Sequence, residues 1–205
     1  MHYEALDEKG RKIFSQLQYL KDFYLAGGTA LALQIGHRIS VDFDLFTSRK
    51  ISKAHFRKIQ LLFSPQKIYI SVNNSEELTF FVNEKKITLL HYPFPVINKF
   101  VEYHGVHFLS IREIGATKAY TIGRRGSWKD YADMYFILSG KHATLSQIID
   151  LASKKFKKEF NGRLFLEQLL YLEDIKDDPI VFLKKKITKK HVVYFFENEI
   201  KKLKL

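Results

Sequence analysis

No other part of this chain limits its possible folds as tightly as Gly27-Gly28-Thr29 followed, with Val41 13 residues after Gly28, by Val41-Asp42-Phe43-Asp44-Leu45. Asp22-Phe23-Tyr24-Leu25-Ala26 reads as a short buried strand that the two glycines break. Ala30 to Ile35 is rich in helix formers, which places Thr29 as an N-cap and gives a strand, glycine turn, helix unit. Ser40 to Phe46 then alternates as a strand does, with Val41, Phe43 and Leu45 on one face and Asp42 and Asp44 on the other. Carboxylates two apart on a strand point the same way, separated by roughly 6.6 Å, and can converge on hard divalent cations. In a two-metal site the ions stand about 3.5 to 4 Å apart. A double-glycine turn that opens a helix allows close backbone approach and presents N–H groups at the positive dipole end, which suits a triphosphate. His37 and Arg38, just past that helix, add positive charge near the same strand end. A Gly-Gly turn by itself is commonly a plain connection, and an Asp-x-Asp on a strand is commonly a solvent face. The joint spacing is what carries the signal.

Around this unit the chain changes character once. Leu6, Ile13, Leu17 and Leu20 fit a helical period, Ser52 to Leu62 reads as a helix, and Lys67 to Val72, Glu77 to Val82 and Lys86 to Tyr92 read as strands. The last two are joined by the turn Asn83-Glu84-Lys85. From Ile111 the periodicity is helical over Ile111–Ile122, Trp128–Leu138, Ser146–Phe156, Arg163–Leu172 and His191–Lys202. The break falls in the loop Pro93 to Gly105, so the expected division is an α/β core over 1–105 and a mainly helical region over 106–205 that packs on it.

With 205 residues the chain has room for one core fold and a modest appendage, and without a cysteine it has no disulfide, thiolate zinc site or thiol nucleophile. The start, MHYEALDEKGRK, is charged, and nowhere do 18 apolar residues run together, so neither a signal peptide nor a membrane span is expected and the cytoplasm is the expected location. The net charge is +12, and Ser153 to Leu205 holds 14 Lys/Arg against 8 Asp/Glu, half of that excess. A basic end suits a polyanion through counterion release, although solvated lysines on amphipathic helices give the same count. Lys154, Lys155, Lys157, Lys158 and Lys184 to Lys186 are the phosphate contacts expected on the polyanion reading. Tyr171, Phe195 and Phe196 are candidates to stack on bases, against a plain core role.

The segment Phe23 to Phe46 closely resembles the signature of the AbiEii/AbiGii toxin family of nucleotidyltransferase-like proteins, within the polymerase-beta-like superfamily. A second block is similar to that family's downstream pattern: Lys118, then Arg125 seven residues later, then Lys129-Asp130-Tyr131-Ala132-Asp133-Met134. The resemblance spans roughly residues 20 to 140. It implies an α+β fold, a nucleotidyltransferase-like mixed sheet flanked by helices and followed by a helical C-terminal half. It implies that Gly27, Gly28 and Thr29 contact nucleotide phosphates, with Arg38, Ser40 and Arg125 also nucleotide-binding. Asp42 and Asp44 would bind magnesium, or manganese in its place, Lys118 would meet the phosphates and Asp130 would complete the catalytic set. Asp130 and Asp133, at i and i+3, also have an architectural reading as partners of Arg125 or Lys118.

One departure bears on mechanism. Related enzymes place a third acid on a later strand, and Lys86-Ile87-Thr88-Leu89-Leu90-His91-Tyr92 resembles that strand with Thr88 at the acid's place. The function that the resemblance implies is a magnesium-dependent nucleotidyltransferase toxin of a toxin-antitoxin, phage-defence pair. Its donor would be a nucleoside triphosphate, its acceptor tRNA or another RNA, and its partner a cognate antitoxin. Transfer to a protein hydroxyl and a catalytically silent basic module that binds RNA or antitoxin are the alternatives.

Overall fold

Alternating apolar side chains in the first half of the chain build a seven-stranded mixed sheet. Its strands are β1 (Tyr24–Ala26), β2 (Phe43–Thr47), β3 (Ile68–Asn73), β4 (Glu77–Val82), β5 (Lys85–His91), β6 (Val101–Tyr103) and β7 (Val106–Phe108), in the order β3-β4-β5-β2-β1-β7-β6. In this computed structural model residues 1–176 and 178–203 are described, Arg125 in its backbone alone. β2 runs antiparallel to β1 and parallel to β5, and β1 runs parallel to β7. Leu25, Phe43, Leu45, Phe80, Ile87 and Phe108 are buried on one face, as the period of two requires. Helix α1 (Glu8–Leu17), capped by Asp7, sets Phe14 5.9 Å from Phe108 across ring centroids on that face. Phe63, at the end of α3 (Lys53–Leu62), meets Phe80 at 5.8 Å. The opposite face carries Asp44, Phe46, Thr79 and Thr88.

Three expectations are corrected here. β2 begins at Phe43, not Ser40, and Val41 is 43% exposed instead of joining the apolar face. Asp42 therefore stands in the lead-in to the strand, before ladder pairing fixes the backbone. Thr29 is not an N-cap: α2 spans Gly27–Ile35 with Ala26 in the cap position, because Gly27 takes the sharp turn at φ +65 and starts the helix three residues earlier. The stretch expected to be a loop, Pro93 to Gly105, contains β6. Its hairpin with β7 turns through His104 and Gly105, both at positive φ, and carries the sheet on to Phe108.

The chain divides into two compact units, Met1–Pro95 with Lys99–Leu109, and Val96–Asn98 with Ser110–Leu205. The second is helical, with α4 (Ile111–Arg125), α5 (Trp128–Ser139), α6 (Leu145–Phe156), α7 (Gly162–Leu170) and α8 (Lys189–Lys201). α4 approaches α6 at Gly115, where a Cβ would stand 3.1 Å from Ile148 Cδ1. Beside that contact Lys155 Nζ donates to Glu113 Oε2 at 2.8 Å, with both side chains fully buried. Glu113 Oε1 accepts the backbone N–H groups of Ile97 and Asn98 at 2.6 and 2.9 Å. Lys155 is thus a core ion-pair residue and not a phosphate contact, unlike the exposed Lys154, Lys157 and Lys158. Lys184 to Lys186 are exposed on the segment before α8, not on a helix, and Phe196 is core.

Candidate active site

In the first unit the antiparallel register sets Ala26 opposite Asp44, so the chain turns into α2 beside that carboxylate. A Cβ on Gly27 would lie 2.6 Å from Asp44 Oδ2, so a side chain there would push the carboxylate aside, and the φ of +65 favours glycine independently. Gly27, Gly28 and Thr29 are the first three residues of α2, whose N–H groups have no acceptor within the helix, and Ala26 supplies no side-chain cap. Partial positive charge at a helix start and a carboxylate thus meet at one strand end.

Thr29 and Ser40 hold this arrangement together from within. Thr29 donates its hydroxyl to the Asp42 carbonyl, and Ser40 Oγ lies 2.7 Å from Thr29 Oγ1. Because the single Thr29 proton is used on Asp42, Ser40 donates to Thr29. Both side chains are buried, so they fix the segment that delivers Asp42. Arg38 is also buried, and its Nη1 donates to the Ile39 carbonyl at 3.1 Å. Asp42 and Asp44 remain half-buried.

Thr88 is in direct register with Asp44 on the neighbouring parallel strand, and Thr79 on β4 is in register with Thr88. The Thr88 hydroxyl lies 3.2 Å from that of Thr79, which donates to Glu77 Oε1 at 2.6 Å. No local pattern points to this hydroxyl row, since cross-strand register is not a local property. Among the described residues no cluster of three acidic, histidine or cysteine side chains is placed to hold a metal. The oxygen donors available near the turn are therefore the Asp44 carboxylate, beside Gly27, and that of half-buried Asp42 two residues before it. That fits one hard divalent cation held by one or two carboxylates with phosphate and water completing the shell.

The second unit carries the other predicted catalytic pair. Lys118 Nζ lies 2.6 Å from Asp130 Oδ1 and 2.9 Å from Asp133 Oδ2, and all three side chains are buried. Asp130 Oδ2 accepts both the N–H and the hydroxyl of Ser127 at 2.9 Å, closing a capping box at the start of α5. The ion pairing expected of Asp130 and Asp133 is present, with Lys118 as their cation. Arg125 ends α4, and its side chain lies outside the described residues. Within one unit the fold gathers Gly27, Gly28, Thr29, Ser40, Asp42 and Asp44, and within the other Lys118, Asp130 and Asp133.

Residues 11–69 match the family model described as nucleotidyl transferase AbiEii toxin, type IV TA system. An uncharacterised protein of Aquifex aeolicus (strain VF5), aq_aa25, is 31% identical over 162 residues, 77% of either chain. Among solved structures, the nucleotidyltransferase toxin MenT4 (Rv2826c) of Mycobacterium tuberculosis H37Rv is similar in fold at a TM-score of 0.60 and 15% identity, over 94% of this chain and 82% of that one. JHP933 from Helicobacter pylori is similar at 0.57 and 16% identity, over 96% of this chain and 94% of that one. Both likenesses concern the fold. The α+β architecture is a nucleotidyltransferase fold, and the chain belongs to the nucleotidyl transferase AbiEii toxin family and is a toxin nucleotidyltransferase.

Proposed function

We propose that this toxin transfers a nucleotide from a nucleoside triphosphate to RNA, with tRNA as the acceptor and magnesium as the metal. It would act in the cytoplasm as one half of a phage-defence pair whose other half is an antitoxin. The observation that carries this reading is the apposition of Gly27 and Asp44, 2.6 Å between a would-be Cβ and Oδ2. It supports the reading because a helix-start backbone suited to phosphate lies beside a carboxylate suited to a metal. On this proposal the N–H groups of Gly27 and Gly28 bind phosphate oxygens, while Thr29 and Ser40 position Asp42. Asp42 and Asp44 would hold magnesium, which supplies charge neutralisation for the triphosphate when bound. The phosphate-binding roles of Lys118, Arg38 and Arg125 belong to the same proposal, with Asp130 and Asp133 fixing the Lys118 ammonium. Phosphoryl and nucleotidyl transfer needs mainly positioning and electrostatic stabilisation, and these groups are suited to both.

The test is incubation of the protein with each α-labelled triphosphate, magnesium and total RNA. Label in the tRNA band is the expected result. Label on protein would move the acceptor to a protein hydroxyl. The register of Thr88 with Asp44 favours a second reading, a binding module without turnover. No label on any acceptor with any of the four triphosphates would support it.

A further inference from the structure

Phe46 follows Asp44 by two residues on β2 and so shares its face of the sheet. Tyr24 on β1 stands in register with Phe46, and His107 on β7 in register with Tyr24. Ring centroids connect Phe94 to Tyr92 at 5.3 Å, Tyr92 to Phe46 at 4.6 Å in a stacked pair, and Phe46 to Tyr24 at 6.1 Å. The row continues from Tyr24 to Phe100 at 5.0 Å and from Phe100 to His107 at 5.6 Å. Six rings therefore form an unbroken row that passes one side-chain step from Asp44 at Phe46.

A core cluster would be sealed, but here Tyr24 alone is buried. Phe100 is 42% exposed, and Phe46, Tyr92, Phe94 and His107 are half-buried. Exposed cations flank the row: Arg49 and Lys50 follow β2, and Lys99 precedes Phe100. Arg49 reaches Asp22 at 3.4 Å and Lys50 reaches Glu76 at 2.9 Å, exposed pairs of the kind that contribute little and exchange readily for phosphate. Rings in series beside backbone-seeking cations are the equipment for unpaired nucleic acid, because every base offers a face to stack.

We propose that this row is a stacking platform for the unpaired nucleotides of the RNA acceptor, directing the end of the strand toward Asp42 and Asp44. The inference rests on the RNA-acceptor reading and makes the selection one for single strands with little regard to base identity. Tyr171, Phe195 and Phe196, the stacking candidates of the sequence, lie in the basic C-terminal part, where helical spacing favours a core role. The platform lies instead in the strand-bearing unit, where period-two neighbours of the aspartates bring the rings together.

The test measures binding of an end-labelled single-stranded oligoadenylate of eight residues, and of a blunt G·C-rich RNA duplex long enough to stay paired at the assay temperature, by fluorescence anisotropy. The parent protein is expected to prefer the single strand. Phe100→Leu keeps apolar bulk but removes the ring face and should weaken single-strand binding about tenfold, in line with the loss of one stacked base. Phe100→Trp should restore it, and Phe94→Leu should repeat the loss at a second ring. The salt slope should be unchanged in Phe100→Leu and shallower in a Lys50→Gln/Lys99→Gln variant. Parental affinity in both leucine variants, or a preference for duplex, overturns the platform while leaving an RNA acceptor standing. Failure of the parent to bind either probe at any salt overturns the platform, while label transfer to tRNA decides the RNA-acceptor reading separately. Loss of affinity for a fluorescent triphosphate with RNA binding intact would assign the rings to the donor base and overturn the inference.

Discussion

Asp44 and Thr88 face each other across adjacent parallel strands, so the side chain next to Asp44 on its sheet face is a hydroxyl and not a carboxylate. Thr88→Asp should therefore set a second carboxylate beside Asp44 on the same sheet face. Like charges at that spacing repel when no cation is present. The variant is expected to melt below the parent in chelator, to gain more than the parent from added magnesium, and to bind it about tenfold more tightly by ligand charge count. Calorimetric titration with magnesium and thermal melts in both conditions check this. An unchanged affinity would place the cation away from Asp44.

Lys118→Met removes a cation that Asp133, with its side chain fully buried, holds at 2.9 Å. Taking one member out of a buried ion pair costs about 3–5 kcal/mol. Adding Asp133→Asn removes the charge that Lys118 balanced, so the double variant should be more stable than Lys118→Met alone. Chemical denaturation of the two singles and the double gives the coupling energy directly.

The Asp44 corner and the Lys118 cluster also show what a sequence conveys and what it withholds. Gly27 and Asp44 are legible as neighbours because they lie within 18 residues of one strand, turn, helix, strand unit, and alternation fixes the face of Asp44 alone. The partners Asp130 and Asp133 of Lys118 are legible as one option, since i, i+3 spacing puts both on one helix face. Lys155 looks like its exposed neighbours, because its burial depends on Glu113, 42 positions away. β6 and β7 escape notice because strands of three residues have too few alternations to register as a period. The aromatic row follows from register between strands, and no local pattern encodes register.

Charge reversal should separate the two kinds of lysine in the C-terminal part. Lys154, Lys157, Lys158 and Lys184 to Lys186 changed to glutamate should leave the melting temperature nearly unchanged. If these lysines also bind RNA, affinity should fall uniformly across sequences, with the salt slope reduced by about 0.7 for each single-strand phosphate that is no longer neutralised. Lys155→Glu alone, placing a second carboxylate against buried Glu113, should abolish cooperative folding. Thermal melts and RNA titrations over a salt series check both halves.

At the end of the sheet, a hydrogen bond with His91, joined by one from Lys50, holds the Glu76 carboxyl down at about 2, against an ordinary 4.5. A folded-state value below the unfolded one stabilises the fold above pH 4.5, and that contribution is lost as pH falls from there through about 2. An NMR titration of Glu76 should show this low midpoint, and His91→Gln should move it up toward 4.5. A parental midpoint in the variant would mean that Lys50 suffices.

Asp44→Asn keeps the shape of the side chain and removes the charge beside Gly27. Its rate of label transfer from α-labelled triphosphate to RNA, measured beside its melting temperature, weighs the assignment of the Gly27–Asp44 corner as the reacting centre. The expected result is loss of transfer by roughly a hundredfold or more, the scale of removing one group that stabilises transition-state charge, with a melting temperature equal to or above that of the parent. Transfer at the parental rate in a folded Asp44→Asn protein would contradict it.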